Sequence, residues 1–155
     1  MEKAAFAAGC FWGVEDAFQK MPGVIDAVSG YEGGSVAAPT YAVVCSGTTG
    51  HAETVEVQFD PSRVSYDALV RRFFEIHDPT QLNQQGPDVG EQYRSVIFYH
   101  SSEQKETAEN IKAELDPHYY PKSIATSIEP AHTFWRAEEY HQNYAETHPT
   151  FACHI

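Results

Sequence analysis

Cysteine is sparse in this sequence: Cys10, Cys45 and Cys153 are the three in 155 residues. An odd, scattered set excludes a disulfide framework, and without a Cys-x-x-Cys pair neither a zinc ribbon nor a thioredoxin-type dithiol fits. Long apolar runs are missing too; none approaches the roughly 18–20 residues of a membrane-spanning helix. Cations are few, 10 Lys and Arg against 22 Asp and Glu, for a formal charge of −12. Such a chain repels phosphate backbones and anionic lipid, so no nucleic acid and no membrane is expected as a partner, and the charge itself reads as a solubility feature. Met1-Glu2-Lys3-Ala4 lacks the basic and apolar regions of a secretory leader, which makes the cytoplasm the expected compartment. Length fits one domain over residues 1–155, expected to be a monomer.

What is present is a regular alternation of strand and helix signals. Residues 3–9 are small and apolar, a plausible buried strand broken by Gly9. Phe11, Val14, Phe18 and Met21 then form a helical stripe that ends at Pro22-Gly23. Residues 24–31 read as a second strand, 35–40 as a loop and 41–45 as a short helical turn. Across 53–59, Glu53, Val55, Val57 and Phe59 share one face. Tyr66, Leu69, Val70, Phe73 and Phe74 mark an amphipathic helix. A long loop follows over 77–91, then a strand over 92–99. Ser101 with Gln104 resembles a capping box, opening a helix with Ala108, Ile111 and Leu115 inward. A weaker strand at 123–128, a short polar helix at 137–146 and a tail from 148 complete the order. This pattern predicts an α+β fold: a two-layer sandwich with a ferredoxin-like core, a mixed sheet, two long helices and a C-terminal coil tail.

Two residues stand out chemically. Cys10 falls where a small-residue strand meets a helix N-terminus, whose unpaired N–H groups and dipole favour a thiolate, the reactive form. A free thiol, with a pKa of about 8.5, is ionised only to roughly a few per cent at neutral pH. The nearest cations along the chain are Lys3 and Lys20, so the backbone is the candidate activator. The competing reading is an inert buried cysteine. Trp12 lies off the helical stripe beside Glu15, Asp16 and Gln19, as the wall of an apolar pocket would. Glu53 shares the buried face of its strand. Burial raises a carboxyl pKa, and a carboxyl that keeps its proton serves as a general acid without opposing a nearby thiolate. The alternative for Glu53 is a solvated strand end.

Gly9-Cys10-Phe11-Trp12-Gly13 resembles the signature of the A-type peptide methionine sulfoxide reductases. So do Gly30-Tyr31-Glu32-Gly33-Gly34, Pro39-Thr40-Tyr41, the run from Val44 through Cys45 and His51 to Glu53, Phe59-Asp60-Pro61, His77-Asp78-Pro79, Asp88 with Gln92-Tyr93-Arg94-Ser95, and Ala137-Glu138-Glu139-Tyr140-His141-Gln142-Asn143-Tyr144. These blocks run in order over nearly the whole chain. The resemblance implies attack of the Cys10 thiolate on the sulfur of an S-epimer sulfoxide, free or in protein, and a sulfenic acid that condenses with a second cysteine. Thioredoxin, or dithiothreitol in vitro, then reduces that disulfide; no cofactor is implied. By motif, Phe11 and Trp12 line the pocket for the substrate methyl group and Glu53 protonates the departing oxygen. Tyr31 and Tyr93 bond that oxygen or fix Glu53. Asp88 binds the substrate backbone and helps orient Tyr93, and Tyr41 belongs to the substrate-binding set.

Cys45 and Cys153 compete to resolve the sulfenic acid. Cys45 lies beside Val43 and Val44 and reads as a buried structural thiol. Cys153 lies in a tail able to reach a pocket, so a Cys10–Cys153 disulfide is expected. Where many members of the family carry two tail cysteines, this chain has one, which points to direct attack by thioredoxin. The alternatives are a cysteine hydrolase or acyl transferase with His51 as base, or an aromatic binding module without chemistry. The late histidines His132, His141, His148 and His154, with Cys153, match no zinc spacing, so no metal is expected.

Overall fold

The computed structural model describes residues 1–148. The elements are β1 (Glu2–Ala8), α1 (Phe11–Gln19), β2 (Val24–Glu32), α2 (Tyr41–Cys45), β3 (Ala52–Phe59), α3 (Tyr66–Glu75), β4 (Gln84–Gln85), β5 (Asp88–Val89), β6 (Ser95–Tyr99), α4 (Ser102–Leu115), β7 (Ser127–Pro130), β8 (Trp135–Arg136) and α5 (Tyr144–Thr147). The main sheet runs β7-β6-β1-β3-β2-β8. Only the β6–β7 pair is parallel, which makes the sheet mixed. Its inner order, β6-β1-β3-β2, is the ferredoxin-like arrangement expected from two split β-α-β units.

β1 is central and buried on both faces from Ala4 to Ala8. Phe6 points to the helical layer, stacked on Phe18 of α1 at 4.9 Å and 5.4 Å from Phe73 of α3. Ala5, Ala7, Ala52, Val96 and Phe98 form a smaller cluster on the other face. Burial of each such phenylalanine is worth about 1.5–3 kcal/mol. α3 and α4 lie side by side, joined at the surface by Arg71 and Glu114. At the start of α4 the Gln104 N–H donates to Ser101 Oγ (3.2 Å), the contact the capping box requires.

Several boundaries differ from the sequence reading. Only α4, at 14 residues, is long; α1 and α3 span 9 and 10. The loop after α3 contains the β4–β5 hairpin and a 3-10 turn at Glu91–Tyr93, which delays β6 to Ser95. The strand expected at 123–128 forms at Ser127–Pro130 instead. The helix expected over 137–146 divides into a 3-10 turn at Glu139–His141 and α5, because Asn143 sits at φ 56° in the left-handed region. The tail expectation, including Cys153, lies outside the described residues.

Candidate active site at the head of α1

β1 ends at Ala8, and Gly9, at φ 94°, turns the chain into α1 with Cys10 as N-cap. Cys10 is half-buried. The first amide of the helix, Phe11 N–H, donates to Glu53 Oε1 at 3.2 Å. This single bond brings the two singled-out residues together: Glu53 spends one of its acceptors on an amide adjacent to the cysteine. The alternation reading holds, since Glu53 is 2% exposed on the same face as the fully buried Val55, Val57 and Phe59. Glu53 also pairs with Tyr31 across the β2–β3 ladder.

Aromatic rings wall the site. Phe11 is fully buried, 5.7 Å from the Tyr31 ring, 6.3 Å from Tyr41 and 5.2 Å from His141. Trp12 is half-buried and stacks on Tyr144 at 3.9 Å. Its indole N–H donates to His141 Nδ1 at 2.9 Å. An indole only donates, so Nδ1 carries no proton and His141 is neutral. Burial pushes its pKa down, in keeping with that state.

Three tyrosines differ in how their hydroxyls are used. Tyr93, half-buried at the end of the 3-10 turn, is held above the usual phenol range chiefly by burial, with Glu53, Cys45, Asp88 and Cys10 all close enough to interact with it. The structure therefore gathers Tyr93 and Asp88 with the Cys10–Glu53 pair. Tyr41 is raised by burial, by Glu53 and by a hydrogen bond to Cys45. Tyr31 is fully buried and its hydroxyl donates to Glu138 Oε1 at 2.9 Å.

Cys45 departs from its reading as a buried thiol: the helix turns Val44 inward and leaves Cys45 exposed, against Tyr41. Glu138, His141 and Tyr144 were not singled out as site residues. The resemblance block at 137–144 contained them, but a helix over that block would not have aimed them at Trp12 and Tyr31. His51, the base of the hydrolase alternative, has both ring nitrogens engaged: Nδ1 accepts from Gly34 N–H (3.0 Å) and Nε2 meets Val36 O (2.6 Å). Its proton is thus fixed on Nε2, bonded to a carbonyl. Among the described residues no three His, Cys, Asp or Glu side chains come together as a metal site.

Fold and site define an α+β protein that presents a cysteine and a buried carboxyl at one helix N-terminus. The chain belongs to the peptide methionine sulfoxide reductase family, whose model matches residues 2–155. It is 57% identical to a peptide methionine sulfoxide reductase MsrA of Methanothermobacter thermautotrophicus, over 99% of this chain and 92% of that one. Reduced Mxr1 of Saccharomyces cerevisiae superposes with a TM-score of 0.92 at 38% identity, covering 98% of this chain and 88% of that one. Mxr1 solved in complex with Trx2 matches at a TM-score of 0.66 and 31% identity, over 93% and 84%.

Proposed function

We propose that this protein reduces methionine-S-sulfoxide, free and in peptides, to methionine. The observation that carries the reading is the Phe11 N–H to Glu53 bond, which holds a buried carboxyl beside the Cys10 thiol. The Cys10 thiolate attacks the sulfoxide sulfur. Glu53, kept protonated by its exclusion from water, gives its proton to the oxygen. The protonated oxygen passes from the substrate sulfur to the Cys10 sulfur as the transient S–S bond breaks, so methionine leaves and Cys10 is left as a sulfenic acid. Trp12 presents the apolar surface for the substrate methyl, backed by the buried Phe11 ring and held from behind by His141 and Tyr144. Asp88 takes the substrate backbone. Tyr93 and Tyr41 supply hydroxyls to the departing oxygen. Tyr41 takes the part given to Tyr31 by the resemblance: its hydroxyl rests on the Cys45 thiol, a weak acceptor that a substrate oxygen can displace, whereas the Tyr31 hydroxyl is tied to the Glu138 carboxylate. Cys153 then condenses with the sulfenic acid, releasing water, and the Cys10–Cys153 disulfide is reduced by a dithiol such as thioredoxin. No bound cofactor enters these steps. The protein works as a monomeric single domain. No described helix is long and apolar enough to cross a membrane.

The test is a turnover without added reductant. One equivalent of methionine should form per protein, with loss of two thiols at Cys10 and Cys153, and Cys10→Ser should form none. Methionine formation by Cys10→Ser at the unaltered rate rejects the reading.

A further inference from the structure

Glu138 sits behind the pocket, apart from the reacting atoms, yet makes more contacts than its surroundings require. Its Oε1 accepts the Tyr31 hydroxyl (2.9 Å), and its Oε2 accepts the Tyr41 N–H (3.0 Å) and the Tyr140 hydroxyl (3.2 Å). Three donors thus converge on one carboxylate, from β2, from the first amide of α2 and from the turn after β8. We propose that Glu138 is the positioning residue of the reductase site: by holding the first amide of α2 it aims the Tyr41 hydroxyl, and by occupying Tyr31 it keeps that second hydroxyl out of the reaction. This rests on the function proposed above.

The geometry argues for it in three ways. α2 is five residues long, far below the length at which a helix holds itself, so its orientation must come from what grips it. The grips at its start are Glu138 on Tyr41 N–H and the Thr40 side chain on Val43 N–H (3.3 Å). The helix carries Tyr41 at one end and Cys45 at the other, and the Tyr41 ring lies tilted against His141 at 4.4 Å and stacked on Trp12, the pocket wall, at 6.4 Å. Any tilt of α2 therefore moves the Tyr41 hydroxyl relative to that wall, which α1 and the turn after β8 hold in place. Burial would push the Glu138 carboxyl up, but bonds from Tyr41, Tyr31 and Tyr140 outweigh it and hold it below its usual range. The three donors that converge on it are matched by a carboxylate that accepts on both oxygens. A glutamine keeps much of this geometry: its oxygen can take Tyr41 N–H, and its NH2 can donate to Tyr31, whose hydroxyl then turns to accept.

The experiment is a double-mutant cycle on the single-turnover rate of sulfenic acid formation, using N-acetyl methionine sulfoxide amide as probe. Glu138→Ala should slow the rate about 10-fold or more in the otherwise unaltered protein, and less than about 2-fold in the Tyr41→Phe background, with KM changed far less than kcat. Glu138→Gln should stay within about 3-fold of wild type. Equal slowing in both backgrounds, which a merely structural role predicts, overturns the proposal. So does a Glu138→Gln loss as large as that of Glu138→Ala, a measurement that stands even if the alanine variant fails to fold. A Tyr41→Phe protein as fast as wild type overturns it too while leaving Cys10 and Glu53 intact, whereas no sulfenic acid in the unaltered protein removes the function reading itself.

Discussion

A carboxyl beside a thiol helps a thiolate reaction only while it keeps its proton. Burial on this sheet raises another carboxyl, on the next rung. Glu32, one rung of the β2–β3 ladder from the Tyr31–Glu53 pair, is 1% exposed and pushed up to about 7 by burial and by the nearby charge of Glu56, against one lowering bond from His132 N–H. The sign of its effect on stability follows. Between the ordinary carboxyl value of 4.5 and about 7 the folded chain holds a proton that the unfolded chain has lost. Stability therefore falls as pH rises through that window, and the penalty is complete above it. Glu32→Gln should raise Tm at pH 8 by several degrees, at about 2–4 °C per kcal/mol for a chain this size, with the gain vanishing near pH 4.5. Thermal melts of both proteins across pH check this. Glu53 was legible because strict alternation put a carboxylate among Val55, Val57 and Phe59. Glu32 was not, because a strand read as ending at residue 31 leaves residue 32 in a turn.

Among the elements, α1 does more than its apolar stripe announced. Glu15 lies off that stripe, yet it is 1% exposed. Its carboxylate accepts from Ser29 N–H (3.2 Å), Ser29 Oγ–H (3.0 Å) and Asn143 N–H (2.5 Å). Gln142 adds to the clasp, accepting from Ser29 N–H (3.0 Å) and donating to Ser29 O (2.9 Å) and Ala137 O (3.0 Å). Together they strap residues 137–144 across α1 and β2, which seats His141 and Tyr144 behind Trp12. Glu15→Ala leaves buried donors without an acceptor and should cost about 2–3 kcal/mol. It should also raise KM for sulfoxide more than it lowers kcat, since it loosens the Trp12 wall rather than the reacting groups. Denaturant unfolding and steady-state kinetics check the two halves. Periodicity could not announce this clasp: the bonds that close it, Asn143 to Glu15 and Gln142 with Ser29, join residues more than a hundred apart in sequence, and such bonds leave no local pattern. The same holds for β8, whose two residues pair with Gly30 and Tyr31. The apolar stripes of α1, α3 and α4, by contrast, are local, and Phe11, Val14, Phe18, Leu69, Val70, Phe73, Ala108 and Ile111 are all buried.

At the scale of the whole molecule, the ferredoxin-like order is what makes the chemistry compact. β1 and β3 are antiparallel neighbours, so the end of β1, which delivers Cys10, lies at the start of β3, which delivers Glu53. β2 pairs with the other edge of β3 and brings Tyr31 opposite Glu53. The sheet could be inferred from the order of elements; how the long loop before β6 and the strap after β8 fold over this corner could not, because their turns depend on contacts made only once the sheet exists. Cysteine and carboxyl are thus fixed by the most buried part of the fold, while tyrosines and wall arrive from its connections. The central claim, that Glu53 supplies the proton as Cys10 attacks, is tested most directly by rapid-quench measurement of Cys10 sulfenic acid formation at pH 7 in wild type and Glu53→Gln. The account predicts slowing by about 10²–10³-fold with the sulfenic acid still forming at Cys10. An unchanged rate would contradict it.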